Sequence, residues 1–530
     1  MTASLRLPGI IPHPLRRGRL AALSAFMALE RTLDRIGGSA HNPLRHLGSL
    51  GFLLFWLLAI SGIYLFAVFD TSADGAYRSI DQLSRQQWYL GGVLRSVHRY
   101  AADAFIVVLL AHLLREALMG RYSGFRRFSW LTGVPLLLLA FTSAIGGFWL
   151  NWDQLGQFSA MATAEMLDVL PVFASPLTRN FLGTAAVSDR LFSLFIFVHV
   201  GVALFLVFGL WFHIQRLAHA AVFPPRPMAA AVVLGLLVLA LVAPVMSHAS
   251  ANLAVAPTTL ALDWILLFIH PLAYATSPAL VGILLTLALL WLFALPFLPQ
   301  RAQAPVAVVD PANCNGCRRC FDDCPYAAVT MVAHPLRSLR QMAQVDSDLC
   351  ASCGICVGAC PSSTPFRSAA ELVTGIDMPA APIGALRNRL SRGLAAMGDA
   401  PGKIVVFGCQ HGADITRLAR PDVLTLDLVC TGQLPPSFVE YALRDGADGV
   451  LVSGCTDGGC LYRLGQRWTA QRLHGTREPH LRDAAPRERL AVAWADAGDA
   501  ASVARALQRL RQDLAPLPTA PAPTGAHIHV

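Results

Sequence analysis

Lysine is nearly absent from this sequence, and cysteine is absent from its first 313 residues. All but one of the 42 basic residues are arginine, the exception being Lys403. The 12 cysteines all lie between Cys314 and Cys460, which excludes disulfides from everything before them. Because these cysteines are grouped at short, fixed spacings, they favour metal ligation in a reducing compartment over structural disulfides.

Two further absences narrow the function classes. No G-x-G-x-x-G follows a predicted strand, which argues against dinucleotide binding. No apolar run lies near residue 1, so we expect no cleaved signal peptide. The formal net charge is +9, and the arginines cluster beside apolar runs. We therefore assign this charge to membrane topology and lipid headgroups and expect no nucleic-acid partner.

Long apolar runs dominate the first 300 residues, in a chain that is 55% hydrophobic. Six runs are long enough to span a bilayer, at about 47–69, 91–118, 130–150, 191–217, 228–247 and 279–298. Arginine-rich loops alternate with acidic ones, and the positive-inside rule then places both termini in the cytoplasm. The sequence predicts a basic leader with a surface helix at 1–46 and an all-α transmembrane bundle of six helices at 47–300.

Two of these runs carry histidine pairs, His98 with His112 and His199 with His213, each fourteen residues apart. Fourteen helical residues span about 21 Å and return the second ring to within roughly 40° of the first. If the helices are antiparallel, His98 faces His199 and His112 faces His213. Each facing pair suits bis-imidazole ligation of a haem iron. The alternative is a set of polar side chains satisfied within a helix bundle.

Glycines repeat the same spacing in two other runs. Gly48 and Gly62 lie in the first run, and Gly133 and Gly147 in the third. Glycine has no Cβ and leaves a gap that a flat macrocycle edge can enter, although small residues are also common at ordinary membrane helix contacts. The shared spacing favours haem packing.

Residues of about 20–300 closely resemble the cytochrome b of quinol-oxidising cytochrome bc complexes. The resemblance implies an outer haem on His98 and His199 and an inner haem on His112 and His213. In that family, arginines three residues before the first ligand and three after the second pair with haem propionates. Here they are Arg95 and Arg115.

The segment LDWI, residues 262–265, lies where the family has its Pro-Glu-Trp-Tyr quinol-site motif. Asp263 stands in place of the Glu and could accept a proton from a quinol. It is the candidate catalytic residue of an outer quinol site. The alternative is an interfacial residue that points at water.

Two cysteine runs, CNGCRRCFDDCP at 314–325 and CASCGICVGACP at 350–361, each fit C-x2-C-x2-C-x3-C-P. This is the spacing of bacterial two-cluster ferredoxins, in which the fourth cysteine of each run ligates the other cluster. One [4Fe-4S] cluster is then assigned to Cys314, Cys317, Cys320 and Cys360. Its partner is assigned to Cys350, Cys353, Cys356 and Cys324. We expect an α+β dicluster ferredoxin domain at 306–370; a zinc module is the alternative.

The remaining cysteines follow predicted strands. Strands at 403–407, 423–428 and 449–453 are each followed two residues later by a cysteine, namely Cys409, Cys430 and Cys455. In a parallel sheet these converge at the carboxyl edge. Cys460 would start the next helix and complete a cage of four thiolates. The sequence predicts a linker at about 375–402, an α/β parallel-sheet iron–sulfur domain at 402–514 and a disordered tail at 515–530.

The segments FGCQHG, CTG, GADGVLVSGC and GGCLY, within 402–475, resemble the iron–sulfur delta subunit of the methyl-viologen-reducing hydrogenase that works with heterodisulfide reductase. The resemblance implies a [2Fe-2S] cluster on Cys409, Cys430, Cys455 and Cys460, with structural zinc as the alternative. It also implies a cytoplasmic flavoprotein, hydrogenase or heterodisulfide-reductase-like partner.

Together these features predict a multi-domain, electron-transfer subunit of a prokaryotic inner membrane, one that contacts the lipid bilayer and the quinone pool. Electrons would pass between a cytoplasmic redox partner and quinone through [2Fe-2S], two [4Fe-4S] clusters and two b-type haems. The alternatives are a pure conduit without its own quinone site and a redox sensor. A homodimer is left open.

Overall fold

The computed structural model describes residues 13–170, 175–181, 187–254, 259–298, 305–363, 372–399 and 401–515. The predicted tail lies outside this part of the chain except for Ala515. The chain divides into two compact units. We call Ile10–Gln215 with Ala220–Gln300 the helical unit. We call Met1–Gly9, Arg216–His219 and Arg301–Val530 the cysteine unit.

The helical unit is built from long apolar helices and shorter or more polar ones. They are α1 (His13–Gly37), α2 (Leu47–Val68), α3 (Ala76–Arg85), α4 (Val93–Leu118), α5 (Arg127–Asn151), α6 (Gln154–Asp168), α7 (Asp189–Ile196), α8 (Val202–Ile214), α9 (Arg226–Val242), α10 (Ile269–Ala275) and α11 (Pro278–Ala294). α2 packs along α4, and α5 packs along α8. Leucine, phenylalanine and alanine side chains fill the space between them.

Within the described residues, four helices are long and apolar enough to cross a membrane. They are Leu47–Val68, Gly124–Asn151, Asp189–Ile214 and Pro278–Phe297. The six spans of the sequence prediction are therefore not confirmed. α9 is apolar but has only 17 residues, and α4 includes five charged side chains along its 26 residues.

The leader folds back onto the rest of the helical unit. Asn42 donates hydrogen bonds from its side-chain amide to the carbonyl of Glu30 at 2.9 Å and to Asp34 at 2.8 Å. Arg45 forms an ion pair with Asp34 at 2.6 Å. Arg19, on α1, donates to the carbonyl of Leu118. These contacts fix α1 beside the end of α4.

The cysteine unit begins with two small antiparallel sheets. Strands β1 (Val308–Val309) and β4 (Ile376–Asp377) form one pair, and β2 (Val329–Ala333) and β3 (Gln341–Val345) form the other, with Val329 opposite Val345. Two short helices, α12 (Arg319–Asp323) and α13 (Ile355–Ala359), pack against each other. Each short helix lies inside one of the cysteine runs.

The segment predicted as a linker is structured. It contributes β4, which closes the first small sheet, and helix α14 (Ile383–Ala396), whose Ile383, Leu386, Leu390 and Leu394 are buried. Leu390 is completely buried in a core shared with Val357 of the dicluster segment and Phe407 of the last domain. Proline and glycine suggested a linker because they mark turns, but the apolar face of α14 recurs every three or four residues, as in a packed helix.

A four-stranded parallel sheet forms the end of the cysteine unit, in the order β6 (Val423–Leu428), β5 (Ile404–Cys409), β7 (Gly449–Gly454) and β8 (Leu490–Trp494). Ile404 pairs with Val423 on one side and Gly449 on the other. β5 and β7 are buried along their whole length, as expected for strands covered on both faces. Helices α15 (Ser437–Arg444), α16 (Gly465–His474) and α17 (Ala500–Leu514) complete the domain.

Candidate redox-cofactor sites

The structure places His98 beside His199, as the sequence predicts. The ring centroids of His98 and His199 are 6.1 Å apart, with the ring planes at 68°. His112 faces Gly48 of α2, and His213 faces Gly133 of α5. His98 and His112 share α4, while His199 lies in a π-helical turn, Phe197–Gly201, just before α8. Such turns occur frequently at functional sites, and no pattern in the sequence predicts this one.

Hydrogen bonds to the Nδ1 atoms orient three of these rings. Nδ1 of His98 bonds to the hydroxyl of Ser61 at 2.9 Å, and Nδ1 of His213 bonds to the hydroxyl of Thr132 at 2.9 Å. Nδ1 of His199 donates to the carbonyl of Ser143 at 2.7 Å. In each ring the other nitrogen, Nε2, is the one that could ligate iron, and such hydrogen bonds to the opposite nitrogen are usual for histidine ligands.

Each of the four spaced glycines faces one of the four histidines. A methyl group added at Gly147 would lie 3.0 Å from Cε1 of His199, and one added at Gly62 would lie 3.1 Å from Cε1 of His98. The complete pairs are Gly48 with His112, Gly62 with His98, Gly133 with His213 and Gly147 with His199. The glycines therefore leave room for the imidazole rings.

Arg95 is buried in a polar network. Its guanidinium donates to the hydroxyl of Ser84 at 2.5 Å, to the hydroxyl of Ser247 at 3.0 Å and to the side-chain carbonyl of Asn151 at 3.2 Å. Asn151 in turn donates to Asp153. The predicted propionate contact of Arg95 stays a prediction, and the sequence analysis missed the protein partners because they come from three separate segments.

Arg115 is also buried, and it pairs with the leader. Its Nε atom donates to Glu30 at 2.7 Å, and both side chains are almost fully buried, at 6% and 1% exposure. One guanidinium nitrogen of Arg115, Nη2, has no hydrogen-bond partner among the described residues. A buried, unpartnered donor of positive charge fits a carboxylate ligand such as a haem propionate.

Asp263 has both of its carboxylate oxygens engaged. One oxygen accepts the backbone N–H groups of Ile265 and Leu266, each at 2.8 Å. The other pairs with the guanidinium of Arg99, which also pairs with Asp103 at 2.7 Å. The Asp263 side chain is 9% exposed, and its role as a quinol-site base or as an interfacial residue stays a prediction. To accept a proton from a quinol, the Asp263 carboxylate would have to release Arg99 and bind the quinol in its place.

The eight ferredoxin-type cysteines line two cavities in the crossed arrangement. One cavity is lined by Cys314, Cys317, Cys320 and Cys360. The second cavity is lined by Cys324, Cys350, Cys353 and Cys356. In each cavity three sulfurs come from one run and the fourth comes from the other run. This donor set fits [4Fe-4S] ligation.

The two cysteine runs share one backbone path. The second and fourth residues after the first cysteine have positive φ in both runs: Gly316 at 72° and Arg318 at 66°, then Ser352 at 52° and Gly354 at 75°. Consecutive residues that alternate in this way turn their N–H groups towards a common centre, as in anion-binding nests. The repeated conformation gives the two cavities matching shapes.

Burial raises the pKa of five of the eight cavity thiols. It raises the pKa of Cys320 to about 12, with further increases from the charges of Cys317, Cys360 and Cys314. Burial likewise raises the pKa of Cys356, followed by the charges of Cys353 and other thiols. Metal coordination deprotonates such thiols outright, so these cysteines fit a metal cluster far better than free thiolates.

The last four cysteines meet at the carboxyl edge of the parallel sheet. Cys409 ends β5, Cys430 and Cys455 follow β6 and β7, and the sulfurs of Cys409 and Cys455 are 3.9 Å apart. Cys460 reaches the same cluster from a turn; the prediction that it starts a helix was wrong, since α16 begins at Gly465. All four side chains are buried.

Hydrogen bonds between these thiols lower the pKa of two of them and raise the pKa of the other two. Bonds from Cys430 and Cys455 lower the pKa of Cys409, and the same two donors lower the pKa of Cys460. The pKa values of Cys430 and Cys455 rise correspondingly. Four buried thiols at one edge of the sheet form a donor set that suits either a [2Fe-2S] cluster or zinc.

Comparison with known proteins divides the chain into three matched segments. Family models match residues 38–221 as "Cytochrome b/b6/petB", 313–364 as "4Fe-4S dicluster domain", and 404–517 as "Methyl-viologen-reducing hydrogenase, delta subunit". A chain of a hyperthermophilic respiratory Complex III is similar in structure at a TM-score of 0.39 and 20% identity, over 47% of this chain and 74% of that one. That similarity is too low to carry a functional argument.

The matched segments agree with the chemistry of the residues. The cytochrome b match implies haem b, and the dicluster match implies 4Fe-4S clusters. With four helices long and apolar enough to cross a membrane, the protein is a membrane protein for electron transfer. Its chain combines three segments that match, in order, cytochrome b, the 4Fe-4S dicluster domain and the delta subunit of methyl-viologen-reducing hydrogenase.

Proposed function

We propose that this protein passes electrons between a cytoplasmic redox partner and the quinone pool. Two b-type haems in the helical unit and two [4Fe-4S] clusters with one [2Fe-2S] cluster in the cysteine unit would carry them. The observation that carries the proposal is the pairing of His98 with His199 between apolar helices, in a chain whose cysteines line two separate cavities.

Each proposed cofactor has a defined set of holding residues. His98 and His199 would hold the outer haem, and His112 and His213 the inner one, with Ser61, Thr132 and the Ser143 carbonyl fixing the ring orientations. Arg115 would bind a propionate. When bound, these groups supply one-electron redox chemistry. The protein holds them in place and limits the access of water.

The proposed setting is a prokaryotic inner membrane with both termini in the cytoplasm. The arginine-rich loops support this orientation, and the delta-subunit match supports a cytoplasmic flavoprotein, hydrogenase or heterodisulfide-reductase-like partner. The substrate chemistry of that partner lies outside this chain. The proposal also allows a homodimer of this chain, with or without the cytoplasmic partner.

Haem content tests the proposed ligand pairs. His98→Ala and His112→Ala should each lose one of two b-type haems, and the remaining haem should keep its low-spin optical spectrum. His219→Ala is the matched control, since His219 lies in the loop between α8 and α9 and bonds to the carbonyl of Asp322. Equal haem content in all three variants and the wild type would contradict the assignment.

One observation favours a second candidate function, a conduit without quinone chemistry. Both oxygens of Asp263 are engaged, one by Arg99 and the other by backbone N–H groups. A carboxylate held in this way is a poor acceptor for a quinol proton unless Arg99 moves. If quinone-analogue inhibitors leave turnover and haem spectra untouched, the conduit is the better description.

A further inference from the structure

The dicluster segment and the parallel-sheet domain are joined by a buried ion pair. Asp323, which lies between Cys320 and Cys324, pairs with Arg472 of α16, and the two side chains are only 4% and 1% exposed. Arg477 adds a second cation on Asp323 at 2.5 Å. Because an unpaired buried charge is costly, removing one partner of such a pair is strongly destabilising.

Arg472 also connects the two backbones that carry cysteines. It donates to the carbonyl of Gly432, two residues after Cys430, at 2.9 Å. Its other terminal nitrogen lies 3.4 Å from the carbonyl of Ile355, which precedes Cys356. One guanidinium therefore contacts a ligand loop of the four-cysteine site and a ligand loop of one ferredoxin cavity.

The two loops approach each other so closely that side chains are excluded. A Cβ atom at Gly432 would lie 2.6 Å from Cγ1 of Ile355. One at Gly354 would lie 2.9 Å from Cγ of Gln433. Glycine at both positions allows the turn after Cys430 to rest directly on the start of α13.

The residues at this contact belong to one of the two ferredoxin cavities. Gly354 and Ile355 line the cavity of Cys324, Cys350, Cys353 and Cys356, and neither lines the other cavity. The two cavities are neighbours, because the helices α12 and α13 pack against each other and each cavity takes cysteines from both runs.

We propose that the four-cysteine site exchanges electrons directly with the cluster held by Cys324, Cys350, Cys353 and Cys356, and that Arg472 is the residue that positions the two. The cluster of Cys314, Cys317, Cys320 and Cys360 comes next in the sequence of transfers. This inference rests on the proposed function, because it takes the four-cysteine site to hold an iron–sulfur cluster.

The proposed step is a one-electron transfer. The reduced four-cysteine site loses one electron and the oxidised [4Fe-4S] cluster gains it, with no bond made or broken. A reduced cytoplasmic flavin or iron–sulfur protein refills the four-cysteine site. In the reverse direction the same two sites exchange roles.

Electron paramagnetic resonance of the full-length protein tests the order. In the wild type, reduction of the neighbouring cluster should speed the spin relaxation of the four-cysteine signal. Cys356→Ala should abolish that enhancement, whereas the matched variant Cys317→Ala, which removes a ligand of the other cavity, should retain it. The reverse pattern would overturn the proposal.

Arg472→Lys provides an independent variant if Cys356→Ala does not assemble. It should weaken the relaxation enhancement and leave both signals present. The matched variant Arg477→Lys should leave the enhancement intact, because Arg477 donates its hydrogen bonds to Asp323 and Gln471. Equal behaviour of the two variants would contradict the positioning role. Metal analysis distinguishes failure of the proposed function from failure of this inference. Zinc in the four-cysteine site would overturn the proposed [2Fe-2S] cluster. An iron signal from that site that is coupled to the cavity of Cys314, Cys317, Cys320 and Cys360 would overturn only the inferred order of transfer.

Discussion

The carboxylate of Asp263 forms an ion pair with the guanidinium of Arg99, the residue that follows His98 in α4. The ion pair links the segment that resembles a quinol-site motif to the helix of two proposed haem ligands. The pair must open before a quinol can take the place of Arg99.

Asp263→Asn tests whether this carboxylate accepts a quinol proton. We expect quinol-dependent haem reduction to fall on the order of 100-fold, since loss of a general base typically has an effect of that size. Stopped-flow absorbance of the haem bands measures it, and dithionite reduction should be unchanged. Asp103→Asn is the control, because Asp103 shares Arg99 at 2.7 Å. Unchanged quinol kinetics in Asp263→Asn would remove the outer site and favour the conduit.

The fourth cysteine of each run lines the cavity of the other run, so the effect of removing it should differ from that of removing the other cysteines of its own run. Cys360→Ala should lose the same [4Fe-4S] signal as Cys317→Ala, because both cysteines line one cavity. Cys324→Ala should lose the other signal, although Cys324 lies in the same run as Cys317. Electron paramagnetic resonance of the reduced variants distinguishes the two signals. If Cys360→Ala instead matched Cys353→Ala, the crossing would be refuted.

Gly147→Ala should disturb the outer haem site selectively. The added methyl would lie 3.0 Å from Cε1 of His199, and overpacking of this kind costs about 1–3 kcal/mol. We expect less outer haem and a shifted midpoint potential for what remains, with the inner haem retained. Gly235→Ala is the control, since nothing lies within 4 Å of its added methyl. A redox titration with equal curves for both variants would show that the glycine gap has no role.

The leader helix should loosen in acid. Burial tends to raise the pKa of Asp34, but hydrogen bonds from Arg45 and Asn42 outweigh it and lower the pKa below its usual value. Because the pKa of Asp34 is lower in the folded state than in the unfolded state, its ionised form stabilises the fold at pH values above the usual aspartate pKa, near 3.9. This stabilisation is lost as the pH falls through the folded-state pKa of Asp34. For this partly exposed pair it is about 1 kcal/mol or less.

Hydrogen exchange of α1 residues measures this effect. Asp34→Asn should exchange faster than the wild type at neutral pH, and the two should converge in acid. Arg31→Gln, a charge change on the same helix, serves as the control. A difference between Asp34→Asn and the wild type that persists at low pH would contradict the assignment.

The sequence predicted elements and ligand sets whose signals are local and periodic. The fourteen-residue spacing predicted the pairing of His98 with His199, and the cysteine runs predicted which sulfurs share a cavity. The three strands of the last domain were placed within two residues of their observed ends. All of these predictions depend on helical rise, strand period or ligand spacing, and each of these can be read from one continuous segment of the sequence.

The parts that sequence reasoning missed depend on contacts between distant segments. Arg472 reaches Asp323 across 149 positions, and Arg95 reaches Ser247 across 152. No local pattern marks Arg472, and the position of Arg95 three residues before His98 does not indicate Ser247 as its partner. The π-helical turn at His199 and the packed helix α14 were missed for a related reason, since tertiary packing overrode the local propensity. Asp263 was found by position, but its ion pair was not.

The most direct test of the account is to add a quinol to the purified, oxidised protein and record the haem absorbance, with dithionite added afterwards to define full reduction. The account predicts two b-type haems and quinol-dependent reduction of at least one of them before dithionite is added. Haems that respond only to dithionite or to a reduced cytoplasmic partner would contradict quinone exchange by this chain and would establish a conduit instead.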